Sequence, residues 1–248
     1  MPRDASRDGA PAPGSELGDI AEARLPGGAV LDLHCHSSER SLDSGVRADA
    51  LCAQAVARGL DGVCLTEHNA IWPEADAREL AERHGVAVIR GMEVNTQVGH
   101  VLVFGLDRYR PALSDIHRLR EAVVSEGGAM VWAHPMRQGD WSPPAWADVP
   151  NLFEAIEVVN GDHSDQVDGY WATLAEELGV GRTAGSDVHS IPAVGRVGTG
   201  FPEPVPDVET IVRLLKAHRH APLDFRPGGA HGLPHLAEPP QYTPRERH

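Results

Sequence analysis

Lysine is all but missing from this sequence: Lys216 is the only one in 248 residues, and it falls in a helical pattern. No strand end therefore offers a lysine for a metal centre bridged by a carbamylated lysine. Cysteine is also scarce. Cys35, Cys52 and Cys64 are too few for a disulfide framework in a chain of this size. Aromatic residues make up 5%, so the core must rest on Ala, Val, Leu and Ile. Basic side chains are outnumbered 22 to 36, a formal net charge of −14. Such a surface repels a phosphate backbone and disfavours a general nucleic-acid-binding role. The acidity reads first as solubility, and it leaves a small anionic substrate open because bound divalent cations invert the field locally. No apolar run has the length of a membrane span, and no apolar segment follows a basic N-terminal stretch. The expectation is a soluble, cytoplasmic protein without a signal peptide.

What the chain does have is alternation. Residues 1–27 and 226–248 lack hydrophobic periodicity and read as solvated tails, so His231, His235 and His248 are given no role. Between them, residues 28–225 alternate short apolar runs with helical patterns. The runs are Val30–His34, Gly62–Thr66, Val86–Arg90, Val101–Phe104, Ala129–Ala133, Ala155–Val159, Gly181–Gly185 and Gly195–Phe201. Helical stripes lie at about Arg47–Arg58, Pro73–Gly85, Ser114–Gly127 and from Asp207, with another carrying Val167, Tyr170, Leu174 and Leu178. Strands alternating with helices imply βαβ units and a mostly parallel sheet. About seven such units in one chain predict an α/β fold closed, or nearly closed, into a barrel, whose active site lies at the C-terminal strand ends.

The chemically useful residues gather at predicted strand termini. The first strand reads Leu31-Asp32-Leu33-His34-Cys35-His36. Period-two alternation puts Asp32, His34 and His36 on one face and Leu31, Leu33 and Cys35 on the other. Two imidazoles so placed can grip one ion, with Asp32 orienting one of them from behind. Further strand ends carry Thr66-Glu67-His68-Asn69, Gly91-Met92-Glu93, Gly99-His100, Ala133-His134-Pro135 and Gly185-Ser186-Asp187-Val188-His189. The other histidines of this stretch, His84, His117 and His163, fall in helical or loop patterns and read as surface residues. Mixed imidazole and carboxylate donors suit Zn, Mn or Fe rather than Mg or Ca. The donors outnumber those of one tetrahedral ion, so two or three divalent ions are expected.

As an ordered set these motifs resemble the polymerase-and-histidinol-phosphatase (PHP) family of metal-dependent phosphoesterases, and the resemblance covers about residues 30–201. It implies a distorted, TIM-like (β/α)7 barrel with a trinuclear centre. His34, His36, Glu93 and Asp187 would hold one ion, and Glu93 with His100 and His134 a second. A third would lie on His68, His189 and, by position, Asp43. Glu67 would stand behind His68 and orient it.

The resemblance further implies a phosphatase acting on a phosphomonoester of a small metabolite, of the histidinol phosphate, nucleotide or sugar phosphate class. The nucleophile would be a metal-bound hydroxide, and no side chain is assigned as general acid. Arginine matches phosphate oxygens, and Arg137, Arg196 and, less directly, Arg40 follow the motifs closely. Asn160 either faces the substrate or forms an Asn-Gly turn. Trp141 and Trp146 either stack on a substrate ring or anchor their loop. Cys35 and Cys64 are expected to pack, not to react. Two other readings stand beside this one: a phosphodiesterase or exonuclease on short nucleotides, and an inactive metal-bound scaffold. The expected partner is a small phosphorylated metabolite, with neither long nucleic acid nor a membrane; oligomeric state is left open.

Overall fold

A computed structural model describes residues 17–135, 137, 143–163 and 165–227. Trp141, His231, His235 and His248 lie outside these residues, as do residues 1–16 of the expected N-terminal tail. The described chain contains strands β1 (Ala29–Cys35), β2 (Gly62–His68), β3 (Ala87–Thr96), β4 (Gly99–Phe104), β5 (Ala129–Trp132), β6 (Ala155–Asn160), β7 (Gly181–Gly185), β8 (Val197–Phe201) and β9 (Ala221–Asp224). The helices are α1 (Ile20–Ala23), α2 (Ala48–Arg58), α3 (Glu74–His84), α4 (Ile116–Ser125), α5 (Val149–Leu152), α6 (Asp165–Leu178) and α7 (Val208–Lys216).

Local chemistry sets the helix limits. Gly59 and Gly85 end α2 and α3 in the left-handed conformation, at φ of 83° and 66°, which costs a glycine nothing. Asp115 caps α4 by accepting from the N–H groups of His117 and Arg118, and Asp207 caps α7 through Thr210. Helix α7 buries Ile211, Val212, Leu214 and Leu215 on one face. No helix among the described residues is long and apolar enough to cross a membrane.

The strands form one sheet in the order β7-β6-β5-β4-β3-β2-β1-β8-β9. A parallel bridge between Cys35 and Val188 joins the end of β1 to the segment after β7, so the sheet curls into a nearly closed barrel. The class is the expected one, but the sheet is more mixed than repeated βαβ units predict. β4 runs antiparallel to β3 and β5, and β8 antiparallel to β1 and β9. Strands β3 and β4 are joined by a tight hairpin, which no crossover helix can accompany.

This reversal decides where the site lies. β1, β2, β3, β5, β6 and β7 all point the same way, so their C-terminal ends share one rim. The first residues of β4 and β8 reach that same rim because those strands run backwards.

Three apolar clusters hold the barrel. Leu31, Leu33, Cys64, Ile89, Leu102, Phe104, Val131, Ala155 and Phe201 line the interior, which α7 plugs with Ile211, Leu214 and Leu215. Outside, α2 and α3 cover β1 and β2, and α4 to α6 cover β3 to β7.

The structure departs from strict alternation in β1. The register slips by one residue between Asp32 and Cys35. Leu31 and Leu33 stay with the interior cluster, whereas Cys35 joins the α2 side beside Leu51 and Cys52. The bulge lets a strand that has already turned leucines inward present His34 to the rim as well. All three thiols are free and buried, as packing residues are.

The expected tail limits also move. Ile20 is fully buried against the α2 side, and the Gly18 N–H donates to the Phe225 carbonyl at 2.7 Å. Arg226 is buried, with Nη2 2.6 Å from both Asp168 and Asp224. Gly18, Ile20 and Arg226 are therefore tied to the packed body. A four-residue helix with Ile20 as its buried residue gives no period to read. Ile20→Ala is expected to destabilise the protein by about 3 kcal/mol through the cavity left behind. An unchanged denaturant midpoint would show that the N-terminal segment does not contribute to the core.

Candidate metal centre

One buried carboxylate organises the rim. Glu93, at the C-terminal part of β3, has no exposed surface. Its Oε1 lies 2.7 Å from His100 Nδ1, 2.9 Å from His134 Nε2 and 3.4 Å from His34 Nε2. Its Oε2 lies 2.9 Å from His68 Nδ1 and 3.2 Å from His36 Nε2. A second carboxylate, Asp187, places Oδ1 3.3 Å from His36 Nε2 and 3.5 Å from His34 Nε2. Asp43 Oδ2, at the outer edge, is 3.1 Å from His68 Nε2 and 3.3 Å from His189 Nε2. All nine side chains singled out as donors thus meet at one end of the barrel.

The backbone bends to achieve this. His134 follows β5 at an outward-facing position, and a φ of 24° swings it back toward the cage. Asp187 has a φ of 53° after β7. Both are non-glycine residues in the left-handed region, a conformation that must be held by its surroundings. Gly185 leaves room: a Cβ there would lie 2.4 Å from His34 Cβ and 2.5 Å from Glu157 Oε1.

The donors fit divalent cations. His34 Nε2 and His36 Nε2 face each other at 3.1 Å, with two carboxylates closing the same space. Ligand atoms of His34, His36 and Asp187 lie within 4.8 Å of one another, as do those of His68, Glu93 and His100, of His34, Glu93 and His134, and of His36, His68 and His189. So many lone pairs converging on one space call for shared protons or cations. Burial alone would raise Glu93, but His34 and hydrogen bonds from His100 and His134 hold it well below the usual carboxylate range. Asp187 is likewise held well below, against its burial, by His34 and His36. Burial lowers His36, yet hydrogen bonds to Asp187 and Glu93 lift it to about 9. In this form protons occupy places that suit a metal ion.

A second layer fixes the ring orientations. His34 Nδ1 lies 2.9 Å from Glu157 Oε1, which keeps Nε2 toward the cage. Glu157 Oε2 accepts from the His134 N–H at 3.0 Å and from Asn160 Nδ2 at 2.9 Å. His189 Nδ1 lies 2.9 Å from the Asp187 carbonyl oxygen, leaving Nε2 for the Asp43 side.

Several expected roles change. Asp32 touches no imidazole. Its Oδ1 accepts from the N–H groups of Ser186, at 2.8 Å, and of His34, at 3.3 Å, so it ties β1 to the end of β7. Glu67 does not orient the His68 ring, because neighbouring residues of a strand face opposite ways. It accepts instead from Ser37, from Ser41 Oγ at 2.5 Å and from Trp72 Nε1 at 2.7 Å. Ser41 Oγ in turn lies 3.3 Å from His36 Nδ1, so Glu67 supports the first loop and, through it, His36.

The arginines divide. Arg137 donates to Asp187 Oδ2 and to Asn160 Oδ1 at the cage edge. Arg196 lies 3.8 Å from Asp162, and Arg40 stacks over the Trp72 ring at 5.4 Å; neither has a contact with the nine donors. Trp146 packs against Trp132, as a loop anchor does. His163 is not a surface residue: its side chain is 7% exposed beside Asp168.

Glu157 was the unread part of the site. Asn160 is fully buried; its Oδ1 accepts from the Asp162 N–H at 3.0 Å, as in the expected turn, and also from Arg137 at the cage edge. The legible signal for Glu157 was a carboxylate inside the otherwise apolar run Ala155-Ile156-Glu157-Val158-Val159.

Comparison with known proteins agrees with this geometry. A model of the PHP domain matches residues 32–141, and a model of a PHP-associated segment matches residues 172–219. An error-prone DNA polymerase of Cutibacterium acnes is 32% identical over 120 residues, 42% of this chain and 10% of the polymerase. A phosphoribosyl 1,2-cyclic phosphate 1,2-diphosphodiesterase of Eggerthella lenta is 34% identical over 91 residues, 34% of each chain. The chain therefore spans a tenth to a third of these relatives. Among solved structures, a two-domain protein of Bacteroides vulgatus containing a predicted PHP-like metal-dependent phosphoesterase superposes with a TM-score of 0.63 at 20% identity. The match covers 88% of this chain and 70% of that one, and it shows a shared fold.

Two outcomes follow from the geometry. His36, lifted to about 9, is protonated at neutral pH in the metal-free protein. Its pairing contributes stability that is fully present below about pH 6.5 and lost as the pH rises through about 9. A binding cation must displace that proton, so affinity for Zn or Mn should rise with pH up to about 9. Calorimetry in buffers of different ionisation enthalpy reads the proton release; a buffer-independent enthalpy would contradict it. Glu157→Gln should weaken metal binding by about tenfold to a hundredfold. Competition with a fluorescent chelator measures this, and an unchanged affinity would remove Glu157 from the second layer.

Proposed function

The chain belongs to the PHP family, and from that membership and the caged donors we propose that it is a metal-dependent phosphatase hydrolysing a phosphomonoester of a small metabolite. In this reading His34, His36, Glu93 and Asp187 hold one divalent ion, Glu93, His100 and His134 a second, and Asp43, His68 and His189 a third. Manganese, zinc or iron fits this mixed set. Bound ions supply Lewis acidity and make water a nucleophile at neutral pH.

The observation that carries the monoester reading is Arg137 at the edge of the cage, its guanidinium bonded to both Asp187 and Asn160. A phosphomonoester has three non-bridging oxygens. The cage draws in those nearest its cations, and a planar donor fork beside it suits the one left over. A diester has only two such oxygens and makes less use of a third cationic group. Around the substrate, Glu157 and Ser41 hold the imidazoles of His34 and His36 in orientation.

The likeness to a cyclic phosphate diphosphodiesterase favours a second reading, a diesterase on short nucleotides. A net charge of −14 weighs against long nucleic acid in either case. A scaffold without activity is disfavoured because all nine donor positions keep a ligating side chain. The protein is proposed to act in the cytoplasm on a small phosphorylated metabolite, with no membrane partner.

Hydrolysis of p-nitrophenyl phosphate by the metal-loaded protein should exceed that of bis-p-nitrophenyl phosphate, and Arg137→Ala should lower kcat/KM for the monoester by about tenfold to a hundredfold. A preference for the diester would replace the monoester reading. Inertness of the fully metallated protein towards both esters and a panel of phosphorylated metabolites would end the enzymatic one.

A further inference from the structure

Behind Arg137 lies a chain of buried polar groups that none of the nine donors requires. Arg137 Nε is 3.4 Å from His163 Nε2. Arginine is always protonated, so its N–H donates and His163 Nε2 accepts. With Nε2 accepting, the ring N–H is on Nδ1, which lies 3.4 Å from Asp168 Oδ1. Asp168 is 3% exposed, and its Oδ2 lies 2.6 Å from Arg226 Nη2. Arg226 Nη1 donates to the carbonyls of His163, at 2.7 Å, and Asn160, at 3.2 Å. Asn160 closes the loop, because its Oδ1 accepts from Arg137 and its Nδ2 donates to Glu157.

We infer that His163, backed by Asp168 and Arg226, is a positioning residue that aims the Arg137 guanidinium at the phosphoryl group. The inference rests on the reading of Arg137 as a phosphate contact. Three of the five guanidinium N–H groups are taken, by His163, Asn160 and Asp187. Those partners come from β6 with its following loop and from the segment after β7, so the plane of the fork is fixed from two directions. Among the described residues no partner takes the other two N–H groups, which suit a phosphate oxygen. Without the acceptor at His163 Nε2, the guanidinium keeps its two terminal bonds but can turn about the line joining them. The cost then falls on binding the phosphoryl group, not on metal retention or on the fold.

The closing experiment uses the full-length, metal-loaded protein and inorganic phosphate as the probe. His163→Ala is expected to raise the Kd for phosphate, by calorimetry, and the KM for p-nitrophenyl phosphate by about tenfold, with kcat changed far less. Metal content and melting temperature should stay at the wild-type level. His163→Gln, which keeps an acceptor, should recover most of the loss. In an Arg137→Ala background, His163→Ala should add nothing, since its effect passes through that arginine. An additive loss in that background overturns the positioning role. An unchanged Kd in His163→Ala, alongside a raised one in Arg137→Ala, overturns it as well. An unchanged Kd in Arg137→Ala removes the phosphate-contact reading beneath it.

Discussion

A carboxylate with no solvent contact, ringed by the nitrogens of five imidazoles, is the constraint on which the rest of this molecule depends. Glu93 stays ionised in the barrel mouth only because His34, His36, His68, His100 and His134 surround it. A buried charge left alone costs several kcal/mol, so each of those rings must be delivered to within hydrogen-bonding reach. The need to bring five stretches of chain, at β1 to β5, to one point explains the architecture better than any preference for helix or strand.

Several departures from regular structure serve that delivery. The bulge in β1 frees His34 and His36 from strict alternation. The reversed direction of β4 brings a strand's first residue, His100, to the rim where other strands end. Left-handed backbone at His134 turns back a side chain that a continuing strand would send outward, and Asp187 adopts the same conformation beyond β7. Gly185 withholds a Cβ where His34 and Glu157 meet. Each is a local cost tolerated because the site over-determines it.

The outer layer follows the same logic at one remove. Glu157, Asn160 and Asp32 fix rings and backbone from the interior side. Glu67 with Ser37, Ser41 and Trp72 fixes the first loop from the other. Arg226, just beyond β9, binds the loop after β6 and so links the flank of β9 to the edge of the site. These groups rank with the cage itself in deciding whether it is preorganised.

The sequence by itself placed eight of the nine candidate donors at strand ends; Asp43, in the loop after β1, was reached only through the family resemblance. His, Asp and Glu at the ends of apolar runs have few other uses, and period-two and period-3.6 patterns located nearly every strand and helix from local chemistry. Only the tertiary structure decided which second-layer group serves which ring: Glu157 for His34, Glu67 for the first loop, His163 for Arg137. It also decided that β4 and β8 run backwards, and that Ile20 and Arg226 belong to the packed body. Those facts depend on contacts between residues far apart in the chain, whose partners leave no periodic trace. A buried polar group declares itself in sequence only as an exception to an apolar run, and its partner is chosen by how the sheet curls.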